Sequence, residues 1–290
     1  MQVTITNIQF RLLVVFFTSI LITPIFSYAQ EKQKYSIKNP KGNFFIFWGY
    51  NRSAYAKSTI QVKGDTYNYT LYDMTAQDMP EKVTVKNYLD PGYFTVPQFN
   101  ARAGFYITNK YLVSAGWDHM KYKTQNGVTV KITGTIDKEA SERYAGTYNN
   151  DLITVYHDSL VKIEHSDGLN VIQLNLERHD LLLVNPKENL GLTTILGAGI
   201  NFPMPWTNAT VFGVRNDDRP HFTGFGFSIF GGIKFLFFER IFIQGLLQTG
   251  YLHMPGIVIT PKGGTERASQ NIGYLQGMVV LGYSFRLFKY

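Results

Sequence analysis

The chain has no cysteine, which excludes disulfide scaffolds, thiolate metal centres, cysteine nucleophiles and an N-terminal lipidated cysteine. Charge is scarce as well. Asp, Glu, Lys and Arg make up 17% of the 290 residues, against about a quarter in an ordinary soluble domain, and this argues against a cytosolic enzyme. Beyond the N-terminus no apolar run is long enough for a spanning helix, which needs about 20 residues. Glycine follows no three-residue period, so a collagen-like chain is excluded. No dense Lys/Arg cluster occurs, so nucleic acid is not an expected partner. What the chain has in quantity is Phe (22), Tyr (19) and Gly (26), a mixture that suits strands and close backbone approach.

The first residues read as an address. Up to Gln30 the only charged side chain is Arg11, followed by an apolar stretch from Leu12 to Phe26 that Pro24 interrupts. Ser27 and Ala29 supply the small residues of a signal-peptidase site, so cleavage is expected after Ala29. The expected organisation is a signal peptide over 1–29, a short periplasmic segment over 30–42 and a membrane domain over 43–290. The net charge of +7 favours anionic lipid head groups.

The remainder alternates with period two. From Leu190 to Phe202, Leu190, Leu192, Thr194, Leu196, Ala198, Ile200 and Phe202 share one phase, and Gly191, Thr193, Ile195, Gly197, Gly199 and Asn201 lie on the other. A strand that faces lipid outside and a polar lumen inside has this pattern. The template places upward strands at 43–56, 111–122, 189–202 and 240–253, and downward strands at 96–108, 168–183, 222–237 and 272–288. Their links are tight at 109–110, 185–188 and 238–239 and long elsewhere, as short periplasmic turns and long outer loops would be. The expected fold is all-β, an eight-stranded antiparallel transmembrane β-barrel with long extracellular loops. Trp48, Tyr50, Trp117, Tyr251, Tyr283, Phe285, Phe288 and Tyr290 fall where interfacial girdles belong.

With these strands and this aromatic C-terminal segment, the chain resembles the small bacterial outer-membrane barrels of the OmpA, OmpX, OmpW and PagP kind. The segments Trp48–Ser53, Gly116–Tyr122 and Glu164–Asn170 are similar to those of barrels with no assigned activity. The resemblance implies location in the cell outer membrane, contact with lipopolysaccharide and delivery by the outer-membrane assembly machinery. From the residues themselves, six scattered histidines without paired ligand spacing, no twelve-residue calcium loop and no phosphate-binding glycine pattern lead to the expectation of no metal and no cofactor.

Strand phase turns Asn51, Arg102, Asp118, Gln173, Glu177, Lys234 and Arg286 inward. A barrel of eight strands is just wide enough for its side chains to fill. Arg102, Lys234 and Arg286 are therefore expected to pair with Glu177, Asp118 and the amides as a plug. The segments 57–95 and 123–167 exceed what closure needs; alternating pieces at 59–63, 66–72, 128–133 and 153–156 mark strands that continue above the membrane, and the result reads as an extended Tyr-rich rim for a glycan, lipid or protein ligand. Two other functions stay open. Ser53, Asp118, His119, His165, Ser166 and Asp167 supply the hydroxyl, imidazole and carboxylate types that activate a nucleophile, and similar groups serve PagP and the deacylase PagL near the outer leaflet. On that alternative the chain is a lipid A acyl hydrolase or acyltransferase, with His119 turned towards lipid. The other alternative is a narrow channel for small apolar solutes.

Overall fold

The computed structural model describes residues 35–93, 96–217, 219–260 and 264–286. The signal peptide, the first residues of the 30–42 segment, Phe288 and Tyr290 lie outside the described residues. Fifteen strands follow in chain order among those described: β1 (Asn43–Tyr55), β2 (Ser58–Lys63), β3 (Tyr67–Met74), β4 (Ala76–Gln77), β5 (Phe99–Tyr106), β6 (Tyr111–Thr124), β7 (Val128–Ile136), β8 (Gly146–Val155), β9 (Val161–Val184), β10 (Leu190–Pro205), β11 (Asn208–Val211), β12 (Val214–Asp217), β13 (Phe225–Phe237), β14 (Ile241–Val258) and β15 (Arg267–Arg286).

Eight of them form an antiparallel ring in the order β1, β5, β6, β9, β10, β13, β14, β15, and β15 pairs back onto β1. These are the eight segments that the alternation marks out. Tight links join them at one end. At 185–189 the Asn185 side chain accepts from the N–H groups of Asn189 and Leu190, both at 3.0 Å, while Glu188 takes a left-handed backbone with φ 53°.

At the other end the strands overrun the ring. β9 has 24 residues and β15 has 20, about twice what a tilted strand needs to cross a bilayer. Their surplus supports a cap. β2 pairs with the start of β15, β3 with β2, β7 with β3 and β8 with β7. On the far side β11 pairs with the start of β9, and β12 with β11.

Each part has its own apolar core. In the cap, Ile60, Leu71, Met74, Ile132, Ile163, Leu169 and Met254 are fully buried together with Tyr69 and Tyr122. The alternating pieces expected to continue as strands above the ring do so as β2, β3, β7 and β8, but they pack on one another instead of leaving an extended Tyr-rich rim. Tyr67, Tyr69 and Tyr144 point into this core, because in water the long segments gain more from burying their rings than from displaying them; Tyr72 and Tyr156 stay exposed.

The second core fills the turn end of the ring with Phe45, Phe47, Tyr106, Phe230, Leu236 and Phe242. The lumen is thus not polar throughout, as the alternating pattern suggests. Glycines of neighbouring strands make room for these rings: a methyl group on Gly104, Gly197 or Gly282 would collide with Phe45, Phe230 or Phe242. Ile37, ahead of β1, packs into the same cluster, so the described part of the 30–42 segment lies against the turn end.

Candidate functional site

Beside the second apolar core, the β5, β6 and β9 wall of the ring carries a buried polar network: Arg102 stands over the Phe47 and Phe230 rings, and Lys234 over those of Phe45 and Phe242. Strand phase brings Arg102 of β5 and Glu177 of β9 to opposite sides of β6. The Arg102 Nη1 atom lies 3.3 Å from Glu177 Oε1, and both side chains are only 1% exposed. Arg102 Nη2 donates to Gln173 Oε1 at 3.0 Å, and its guanidinium carbon stands 4.6 Å from the centre of the Phe230 ring. Ser114 donates to the same Glu177 oxygen. The other oxygen meets His179 Nε2 at 2.9 Å.

His179 fixes its own tautomer through its neighbours. Lys234 Nζ donates to His179 Nδ1 at 3.1 Å and to the Tyr106 hydroxyl at 2.9 Å. A nitrogen that accepts from an ammonium carries no proton, so Nε2 holds the proton that bonds Glu177. Asp118 ends the network towards the cap. It accepts from Asn100 at 2.6 Å, Gln173 at 2.7 Å and Gln248 at 3.2 Å, and Asn51 joins by donating to Asn100 Oδ1 at 2.9 Å. Two basic side chains therefore face two acidic ones, each with hydrogen-bond partners, as buried charges require.

Of the residues expected in this network, Asn51, Arg102, Glu177 and Lys234 are in it, together with Asp118. Arg286 is not. It sits at the turn-end rim, where Nη2 donates to the Lys41 carbonyl at 3.1 Å; alternation fixes a side, and at the ring's end that side opens below the lumen. Lys234 also departs from expectation, because its direct partners are Tyr106 and His179 instead of a carboxylate. Both were missed in the sequence, although His179 shares the phase of Glu177 and Tyr106 that of Arg102. Beside the network is a cavity of about 40 Å³, lined among others by Tyr35, Ile37, Tyr106, His179 and Lys234. That is room for a few water molecules at most, not for a substrate.

The catalytic candidates do not assemble. Asp118 points into the lumen. His119, the next residue, lies on the opposite face of β6, stacked on Phe99 with ring centres 5.0 Å apart and bonded through Nδ1 to Asn170 at 2.9 Å. It is buried, not turned to lipid as expected, because Phe99 and Asn170 cover it. His165 is sealed into the cap, with Nδ1 3.0 Å from Thr207 Oγ1. Burial there pulls its pKa down from 6.5 to about 4. Asp167 accepts from Asn208 at the surface, and the Ser53 N–H donates to Asp78. Burial would raise the Glu164 pKa, but Ser166, Lys162 and Lys123 beside it hold it down at about 2. No hydroxyl of the set meets an imidazole, which leaves the nucleophile without a base.

No family model and no curated protein matches the chain. Solved structures similar to it include the outer membrane protein OprG from Pseudomonas aeruginosa, at 12% identity and TM-score 0.44 over 87% of this chain and 100% of that one. Ail, the attachment invasion locus protein of Yersinia pestis, is similar at 12% identity and TM-score 0.31 over 84% of this chain and 99% of that one. The N-terminal β-barrel domain of Pseudomonas aeruginosa OprF is similar at 10% identity and TM-score 0.31, covering 84% and 98%. Likeness at this level says nothing of ligand or activity.

Proposed function

We propose that this chain is an eight-stranded outer-membrane β-barrel whose lumen is closed by side chains and whose packed β cap is presented outside the cell for binding or envelope structure. One observation carries the reading: the outward faces of the long strands change character at a common level. On β15 they run Arg267, Ser269, Asn271, then Leu275, Val279, Leu281; on β9, Lys162, Glu164, Ser166, then Ile172, Leu174, Leu176. Registers support one level, since His253 of β14 faces Asn271, and His119 of β6 faces Asn170. Water above and lipid below that level accounts for the change.

The tight turns then face the periplasm and the cap faces outward. The filled lumen argues against flux, and the dispersed Ser, His and Asp residues leave acyl transfer unsupported. The cap's ligand is a glycan, a protein or envelope lipid, met by a preformed surface. Because the chain has no cysteine, single cysteines test the arrangement cleanly. A membrane-impermeant maleimide on intact cells should label Leu152→Cys in the cap and leave Asn185→Cys in a turn unlabelled until the outer membrane is opened. Labelling of Asn185→Cys alone on intact cells would invert the orientation and remove the display function.

A further inference from the structure

Between β4 and β5 the chain leaves the cap and crosses to the outside of the ring. The strand β5 pairs with β1 only as far as Phe99 and Tyr50, although β1 runs on to Tyr55. The wall above Tyr50 thus lacks its β5 neighbour, and the segment 76–81 takes that place. Ala76 and Gln77 pair with β6, and Asp78 accepts from the Ser53 N–H at 3.2 Å and from Gln98 Nε2 at 2.6 Å.

Beyond Asp78 the segment is fastened to the outer wall at Glu81 and at Tyr88. Glu81 meets Lys121 Nζ at 2.6 Å. Tyr88 sits edge-on to Tyr50, ring centres 4.7 Å apart, and its carbonyl accepts from the Tyr50 hydroxyl. Arg52 donates to the Tyr88 hydroxyl at 2.8 Å. Tyr50 and Arg52 are on the outward phase of β1, directly above the girdle residue Trp48.

Tyr88 belongs to a helical turn, Val85–Leu89, started by Thr84, whose hydroxyl accepts from the Asn87 N–H. Its outer side is apolar. Val83, Val85 and Leu89 are 82%, 76% and 70% exposed, more than the lipid-facing Phe227, Ile229 and Val279 at 57%, 61% and 66%. In water this trio would be an uncovered apolar patch on a fastened backbone. Through Tyr88 on Tyr50 the turn lies against the outward face of β1; Lys82 and Lys86 flank the trio, and the Lys86 ammonium stands 4.6 Å from the centre of the Tyr93 ring.

We propose that residues 81–89 form an interfacial strap, with Val83, Val85 and Leu89 dipped into the outer leaflet around the ring and Lys82 and Lys86 at its phosphate groups. The occupant of this apolar face is the bilayer itself. The turn's place against the outward face of β1 and the basic flanks both favour it, since interfacial segments combine apolar insertion with attraction to anionic head groups. The strap covers the place where the ring wall loses β5 and fixes the depth of the barrel on that side. The proposal rests on the reading of the ring as a membrane barrel.

The test uses the full chain with one cysteine at a time, Val85→Cys, Leu152→Cys or Leu196→Cys, each carrying an environment-sensitive fluorophore. The protein is reconstituted in phosphatidylcholine–phosphatidylglycerol vesicles containing lipids spin-labelled at a shallow or a deep acyl position. The Val85 probe should be blue-shifted and lose most of its emission to the shallow quencher; the Leu152 probe, on the cap, should keep its emission with both. The Leu196 probe, on the ring's outer face, should lose emission to the deep quencher. A Val85 probe that behaves like the Leu152 probe while Leu196 is quenched overturns the strap and leaves the barrel standing. An unquenched Leu196 probe overturns the barrel and the strap together.

Discussion

Along β9, inward positions near the cap are Val161, Ile163, Leu169 and Val171, whereas those in the ring are Gln173, Asn175, Glu177 and His179. Outward positions reverse the assignment, from Lys162 and Glu164 to Leu174 and Leu176. One strand thus carries two opposite binary patterns. Above, water surrounds the sheet and apolar burial holds the cap together. In the ring the outer face takes the apolar side chains, and the inside is held by hydrogen bonds and ion pairs whose members depend on one another. A cap residue lost leaves a cavity; a ring residue lost leaves a charge.

The largest effect should come from breaking that charge network. Glu177→Ala strands Arg102 and leaves Ser114 and His179 without their acceptor, which costs about 3 to 5 kcal/mol for a buried pair, less where lumen water enters. Glu188→Ala in a turn, which loses the exposed ion pair with Lys38, should leave stability close to wild type. Urea unfolding in detergent checks both; equal midpoints for the two variants would refute the contrast.

In the cap, Leu71→Ala removes a fully buried side chain and should cost about 2 to 4 kcal/mol through the cavity it leaves. The damage should stay local. Protease should begin to cut within residues 57–93 while the ring keeps its heat-modifiable gel mobility, and loss of that mobility would show that the two parts are not separable.

Acid should loosen the cap next, by up to roughly 3 kcal/mol from His165. Its folded pKa of about 4 lies below the ordinary 6.5, so the unfolded chain binds the proton first. Stability is complete above pH 6.5 and falls as pH drops towards 4. Glu164, held at about 2 against an ordinary 4.5, extends the loss to lower pH, because its stabilisation is present above 4.5 and is lost as pH falls through about 2. Protease resistance of the cap measured from pH 8 to 4 should decline, and His165→Gln should flatten the upper part of that curve. A decline unchanged in His165→Gln would assign it elsewhere.

The ring was legible because its strands declare themselves locally. Leu190 to Phe202 alternates visibly, and Arg102 and Glu177 fall inside by phase alone. The cap shows only its pieces, which alternate at 59–63, 66–72, 128–133 and 153–156; its order of β15, β2, β3, β7 and β8 depends on pairings between distant segments, such as Gln270 with Ile60, that no period records. Phase also assigns a side without saying what covers it. Phase puts His119 on the outward side, where Phe99 and Asn170 hide it, and Arg286 on the inward side at the last pair of β1 with β15, where it bonds the Lys41 carbonyl. The dispersal of Asp118 and His119 to opposite faces of β6 follows from their being neighbours in a strand, a constraint that weighed against a shared site from the start.

On the proposed reading, the polar network closes the ring. Single-channel recording of the refolded full chain in planar bilayers tests it most directly. The wild type should show no stable conductance, since Arg102, Glu177, Asp118 and Lys234 occupy the cross-section with their partners. Steady, porin-sized currents from the wild type would contradict the account and make the ring a pathway instead of a support for the cap.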